Sequence, residues 1–466
     1  MQVPILSGIY SDNAGRVRTS YPVNRIPVPT QSGISAGYLR PGYGLVSQGA
    51  GLGVDRGGIE WRGVMYRVQG TSLVRIDASG AASVLGDVGA GGWCTIDYSF
   101  DRMSVSSGGR LYYWNGSTLT QVTDPDLGSV LDHLWVDGYF MTTDGTSLVV
   151  TELTNQTAVN PLKYGSSEVD PDPIKGVLKL RNEVWAFNRH TCEVFNNVGG
   201  DVFPFQRIEG AQVQKGAIGT HAKCLYTDSV AFLGSGRNEP PSVYIASSGS
   251  VQKVSTQEVD EIIGQFTEAQ LSLVVLEAKQ DNSHNHLYIH LPDRTLGFDI
   301  EATKAVGAPV WFVLTSAMDG FAQYRAKGHV WCYDKWNAAD PATGEYGYLT
   351  DSVSSHWGDH VRWEFGTQII YNEGQGAIIN SMEVVTLTGN VALGDDPKIS
   401  TSHSVDGELW SAPRTISAGK IGERAKRLLW LQCGILRHWR IQRFTGDSRA
   451  HISILRLNIE PEALVY

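Results

Sequence analysis

The sequence is poor in charge. Asp, Glu, Lys and Arg make up 18% of its 466 residues, against roughly a quarter in an average soluble domain. That deficit argues against a helical bundle. Cysteine is scarce and scattered: Cys94, Cys192, Cys224, Cys332 and Cys433 form no CxxC pair. This excludes a disulfide framework and reads as buried free thiols made in a reducing compartment. Long apolar runs are missing, the longest uncharged one lying near residues 271–276, far short of a membrane span. The first residues carry neither a basic head nor a long apolar run, so no signal peptide is expected. A surplus of positive charge is also missing. The formal net charge of −10 excludes a chain that clamps nucleic acid over its whole surface. There is no GxxxxGK[ST] phosphate loop, no HExxH and no EF-hand loop.

Glycine is plentiful, at 52 residues, and aromatic side chains reach 10%. Gly admits positive φ, so this composition suits short strands joined by tight turns. Residues 212–262 show the pattern best, with apolar runs at 222–226, 229–233, 243–246 and 251–254 broken by turn chemistry. Four strands of this length make one antiparallel meander, which buries little alone and needs neighbours of its own kind. Such units recur. Leu111-Tyr112-Tyr113-Trp114 turns at Asn115-Gly116 into residues 119–122, and Tyr139-Phe140-Met141 turns at Asp144-Gly145 into 148–150. Val330-Trp331-Cys332-Tyr333 leads past residues 337–344 to 346–349, and Leu296-Gly297-Phe298 leads past a long turn to 310–313. Asn-Gly and Asp-Gly between apolar runs are the strongest local hairpin signals.

About seven such units over roughly 300 residues predict an all-β fold. The expected architecture is a β-propeller of six or seven short antiparallel blades over residues 51–352, each blade covering a face of the next. A β-sandwich with long loops is the competing architecture. Acids just after Thr256 and Thr267 predict a helical insert near 256–275 on the rim. Residues 353–466 read as a second all-β unit, sandwich-like. Residues 1–50, with Pro4, Pro22, Pro27, Pro29 and Pro41, read as an extended arm lying on something else.

Several spellings invite a chemical reading. Gly33-Ile34-Ser35-Ala36-Gly37 matches GxSxG, but a nucleophile elbow needs a strand before it and a helix after it, and Gly and Pro surround this one. Residues 404–410 resemble a sialidase aspartate box lacking one residue, and are expected to be a hairpin turn plugged by Trp410. His284, His286 and His290 share one face of a strand and could hold a transition metal. Asn282, Ser283 and Asn285 argue instead for a polar turn. His356 and His360 are a similar case. Asp170 with Asp172, Asp395 with Asp396, and Glu258 with Asp260 and Glu261 are paired acids, yet glycosidases need two carboxylates facing across a cleft. The expectation is no catalytic residue, no cofactor and no metal.

The order of certain strings carries a resemblance. Val213-Gln214-Lys215-Gly216, Asp228-Ser229-Val230-Ala231-Phe232 and Pro241-Ser242-Val243-Tyr244-Ile245, with Gly37-Tyr38-Leu39-Arg40 and Ile289-His290-Leu291-Pro292, resemble the tail hub or nozzle protein of short-tailed bacteriophages. That family is also called packaged-DNA stabilisation protein. The resemblance implies a structural protein of the virion tail, made in the host cytoplasm, in a ring of six copies that closes the portal exit. It implies contacts with a head-to-tail adaptor, a tail needle and tailspikes. It also implies that double-stranded DNA passes through the lumen without sequence-specific binding. The alternatives are a glycan-cleaving propeller enzyme, sialidase- or glycosidase-like, and a receptor-binding tail protein. Nine Lys or Arg stand against Glu423 and Asp447 between residues 418 and 458, which favours an acidic neighbour near the C-terminus. The expected partner contacts there are Arg437, Arg440, Arg443, Arg424, Lys426 and Arg427.

Overall fold

The computed structural model describes all residues but 13–16, 31–32, 34, 248, 282–283, 373–374 and 465–466. Seven antiparallel sheets follow one another along residues 55–350. Their innermost strands are Asp55–Trp61, Thr95–Tyr98, Asp132–Val136, Ile174–Leu180, Lys223–Tyr226, Val275–Asp281 and Lys327–Cys332. Each touches the next in order, and the last touches the first. The fold is a closed seven-bladed propeller, at the upper of the two blade numbers the spacing allowed.

The reason for closure is visible in the side chains. Successive residues of a strand face opposite sides of its sheet, and here both sides are covered. Leu111 and Tyr113 pack toward blade three with Phe140 and Val149. Tyr112 and Trp114, between and after them, pack toward blade one with Val68 and Leu73. The same division recurs at every gap, so seven apolar clusters separate seven blades. This is why the strands read as continuous apolar runs and not as alternation.

Blade seven is completed from far away in the chain. Its fourth strand is Gly44–Gly49, paired with Tyr346–Thr350. Blade seven also holds a strand, Lys335–Ala339, where a loop was expected. The turn before it uses Tyr333 (φ 57) and Asp334 (φ 55), a left-handed pair without the glycine that usually betrays such a turn.

Two helices, Gln257–Ile263 and Glu268–Leu271, lie within the expected insert, the second carrying a capping box from Thr267 and Gln270. A third helix, Ile300–Val306, occupies the long turn of blade six. The Asp299 side chain accepts from the Glu301 and Ala302 amides, and Gly307 ends it at φ 80.

Two sheets face each other beyond the propeller. One runs Arg25–Pro29, Gly37–Pro41, Ile454–Ala463, Ala377–Thr386, Leu428–Leu431, with Gln2–Val3 and Ile435–Leu436 at its margins; the other contains Arg362–Gly366, Trp439–Asp447, Lys398–Ser404 and Arg414–Ser417. Trp363, Phe365, Ile379, Met382, Trp430, Phe444 and Leu457 fill one core between them. Residues 1–50 therefore do not form a separate arm. Gln2–Val3, Arg25–Pro29 and Gly37–Pro41 belong to the sandwich, Tyr10–Asp12 and Val17–Ser20 pair with each other, and Gly44–Gly49 belongs to blade seven, because the strands that join either unit supply hydrogen-bonding edges that the other segments leave open. Between them the chain crosses the junction: Val23 exchanges backbone hydrogen bonds with Glu364 of the sandwich, and the Asn24 amide donates to Val313 of blade six.

Candidate functional site: the propeller axis and the sandwich surface

All seven innermost strands line one cavity of about 540 Å³. A second, of about 650 Å³, lies at one mouth among Arg56, Ser107, Thr220 and Lys327. Charged side chains are concentrated here. Asp132 is 1% exposed and receives groups from three other blades. Its Oδ1 accepts from Thr95 Oγ1 at 2.5 Å, and its Oδ2 accepts from the Val177 amide at 2.9 Å and the Lys223 ammonium at 2.7 Å. Burial alone would raise this carboxyl; Lys223 and His221 outweigh it and hold it below its ordinary value. Burial pushes the His221 imidazole down to about 4.

The other junctions around the axis are pinned similarly. Arg67 clasps Asp55 through two bonds of 2.8 and 2.7 Å and donates to the Gly328 carbonyl of blade seven. Burial raises the Asp55 carboxyl despite Arg67. Arg56 donates to the Gly70, Gly89 and Gly92 carbonyls and to Ser107 Oγ. Asp97 Oδ2 accepts from the Trp135 amide at 2.6 Å. Glu277 of blade six accepts from the Gly328 amide of blade seven at 2.6 Å and lies 2.5 Å from His329 Nδ1. Glycoside hydrolysis needs one carboxylate free to give or take a proton and a second facing it. The buried acids here already hold blades together.

The expected acid pairs sit elsewhere and do not converge. Asp170 is gripped twice by Arg237, and Asp172 accepts from the His190 amide. Asp396 pairs with Lys398, and Asp260 with Lys253. Ser35 belongs to the hairpin between Arg25–Pro29 and Gly37–Pro41 and donates to the Gly37 carbonyl; Ile34 lies outside the described residues. In the box-like stretch, Asp406 Oδ1 accepts from the Glu408 and Leu409 amides, a plain hairpin turn. Its Trp410 stacks under Arg443 at 4.0 Å. His356 is buried against Tyr324, 2.7 Å from Ser316 Oγ, while His360 is exposed.

The three strand histidines divide into two groups. His284 and His286 face Asp299, and His290 joins Glu277 and His329. Asn282 and Ser283 lie outside the described residues. The spacing of 284, 286 and 290 gave the shared face, but Glu277 and His329 carried no local signal, because blade pairing brings them in.

The six expected basic contacts do not make one patch. Arg440 is 1% exposed and donates to the Cys433 carbonyl and Gln442 Oε1 inside the sandwich; burial lowers it to about 10. It is withdrawn from any partner surface. Arg440 and Arg443 are three residues apart on one strand, so they point to opposite faces. Arg427 is clasped by Glu383 and Lys426 by Glu423. Arg424 and Arg437 are exposed, and no acid pairs with either among the described residues. Arg424 shares a pair of touching loops, joined at Gly389 and Gly422, with exposed Leu387, Leu393 and Ile421. All five cysteines are free, Cys224 half-buried and the rest buried.

A closed propeller whose axial charges serve as cross-blade ties, carrying a sandwich built partly from its own N-terminus, defines a rigid scaffold protein. The chain belongs to the bacteriophage P22 Gp10 family: the β-propeller model of that family matches residues 1–354 and its β-sandwich model matches residues 362–462. The tail hub protein gp10 of Salmonella phage P22 is 27% identical over 458 residues, covering 94% of each chain. Among solved structures, PorZ, a surface component of the type-IX secretion system of Porphyromonas gingivalis, matches with a TM-score of 0.40 at 11% identity, over 79% of this chain and 46% of that one. The Pan2 WD40 domain of Neurospora crassa matches with a TM-score of 0.40 at 9% identity, over 64% and 88%. Neither bears on function. The chain is a structural component of a phage tail, of the tail hub kind.

Proposed function

We propose that this chain forms a ring, of six copies on family precedent, that closes the portal exit of a short-tailed phage, retains the packaged DNA and later conducts it. The observation that carries this reading is the match to a tail hub over both units in the same order. The axis supports it in a second way. The propeller's own cavity, about 540 Å³, is the size of a small-molecule pocket and is crossed by the Asp132–Lys223 pair. Duplex DNA does not fit through one chain, so the conduit lies between copies. The overall charge of −10 suits a lumen along which phosphates slide, since each neutralised phosphate would add grip and salt dependence.

The head-to-tail adaptor, the tail needle and the tailspikes are the proposed neighbours, and synthesis takes place in the host cytoplasm. Of the six expected contacts, Arg424 and Arg437 are the two that are exposed with no acid paired to them among the described residues. The test is assembly in vitro: purified chain is mixed with adaptor-capped portal rings and imaged by electron microscopy. A six-fold ring on the adaptor is the expected product, and failure to bind at physiological salt ends the proposal. Arg424→Glu with Arg437→Glu should weaken docking while shifting unfolding by no more than about 0.5 kcal/mol. An assay for reducing sugar released from host polysaccharide separates this reading from a glycan-cleaving propeller.

A further inference from the structure

We propose that the junction of blades six and seven holds one divalent transition-metal ion of the zinc class, ligated by Glu277, His290 and His329. The three residues come from two blades: Glu277 and His290 from adjacent strands of blade six, His329 from the innermost strand of blade seven. One donor atom from each lies within 4.8 Å of the other two. His290 Nε2 is 3.5 Å from Glu277 Oε2, too long for a hydrogen bond. It is close to the spacing of roughly 3.3 Å between neighbouring donors on a tetrahedral ion with bonds of about 2.0–2.1 Å.

The surroundings are those of a ligand set. The Nε2 atom of His290 is buried and has no hydrogen-bond partner among the described residues. An unpaired polar nitrogen in a dry interior costs free energy, and a metal ion removes that cost. The other nitrogen of His290 lies 3.0 Å from Thr295 Oγ1, the kind of outer contact that fixes a ligating imidazole. Glu277 Oε1 accepts from the Gly328 amide, which orients the carboxylate, and Oε2 meets His329 Nδ1 at 2.5 Å, a hydrogen bond that a bound ion would replace. Glu277 and His329 both line the axial cavity, so a water can reach a fourth position. Lys327 is a neighbouring cation that could compete for Glu277. Its ammonium is held 4.4 Å over the Trp93 ring, and no ion pair of Lys327 occurs among the described residues.

Two imidazoles and one carboxylate with an open position suit zinc, with iron(II) as the other common occupant. The second histidine group is less suited. His284, His286 and Asp299 all belong to blade six, so an ion there would tie nothing across a blade junction. An ion at the first group would tie blade six to blade seven where Glu277 now meets the Gly328 amide and His329.

The experiment uses the full chain. Metal content of the purified protein is measured by mass spectrometry. The protein is then stripped with a chelator and titrated with Zn²⁺ and, separately, with Co²⁺, whose tetrahedral absorption bands report the ligand field. About one ion per chain, tetrahedral Co²⁺ bands, and a thermal midpoint raised by several degrees on adding Zn²⁺ are expected. His329→Gln and His290→Gln should each lower Co²⁺ affinity by at least about tenfold. His284→Gln should leave it unchanged. Near-UV circular dichroism shows whether each variant is folded. Should either glutamine variant fail to fold, the wild-type Co²⁺ spectrum and histidine NMR shifts on adding Zn²⁺ decide the matter. Absence of Co²⁺ bands in the wild type, or loss of binding in His284→Gln alone, overturns the proposal.

Discussion

The propeller and the sandwich solve the same problem with opposite means. Each blade gap has its own apolar cluster, small between blades seven and one and large between blades five and six, and the inner ends of the blades are tied by buried charges met from neighbouring strands. The sandwich has one continuous aromatic core. Among the described residues its buried cations, Arg25 and Arg440, meet only carbonyls, an amide oxygen, a thioether and the Trp363 ring. Burial lowers Arg25 to about 9. The lesson is geometric. A closed ring surrounds its axis with groups that can answer a charge from every side, whereas two stacked sheets offer mainly apolar surface between them.

The sharpest way to break the comparison is to remove what both units share. Deleting residues 1–50 takes Gly44–Gly49 from blade seven and three strands from the sandwich. Loss of cooperative thermal unfolding in both units is expected by calorimetry. A truncated chain that keeps a sharp transition would show that one unit stands without the other.

Next in size are the axial ties. Asp132→Ala leaves Lys223 buried without its partner and should cost about 3–5 kcal/mol in urea unfolding, with Asp132→Asn plus Lys223→Met recovering much of it. A cost under about 1 kcal/mol would mean that the axial charges are ornament and the clusters carry the ring.

Acidification probes the same contrast. The unfolded chain protonates a histidine near 6.5, whereas folded His221 stays neutral to about 4 and His356, at the junction with the sandwich, to about 3. Each imidazole therefore contributes stability above pH 6.5 that falls as pH drops, by about 1.4 kcal/mol per pH unit while the folded form remains neutral. Asp132, held below its ordinary value, adds the same sign at lower pH. Urea midpoints from pH 7 to 4.5 should fall, and less steeply in His221→Gln.

The smallest effect is expected at the sandwich's inward arginine. Arg440→Met keeps volume and removes a charge that no carboxylate answers, so its cost should stay below about 1.5 kcal/mol. A cost matching that of Asp132→Ala would erase the distinction between the two regions.

Much of this was legible in the residues. Glycine turns between apolar runs gave the blades, and unbroken runs such as residues 111–114 showed that both faces are covered. The helix Ile300–Val306 was spelled out by Asp299, Glu301 and Gly307 and passed over as a turn. Lys335–Ala339 was hidden because Tyr333 and Asp334 supply a turn without glycine. The closing strand Gly44–Gly49 and the group of Glu277, His290 and His329 depend on partners far along the chain, which no local pattern reports. Arg440 was misplaced by counting charges along a segment without following the two-residue alternation of a strand.

The position of the closing strands sets the timetable of synthesis. Met1 donates to the carbonyl of Ile459, and Gln2 pairs with Asn458. Residues 44–49 wait for residues 346–350. The ring cannot close on the ribosome until residues 346–350 have emerged, and the sandwich waits for Ile454–Ala463, so the nascent chain is held with open edges for most of translation. A product that stops short of residue 346 has no finished ring or sandwich to offer, and an assembling tail is thereby spared such half-made pieces.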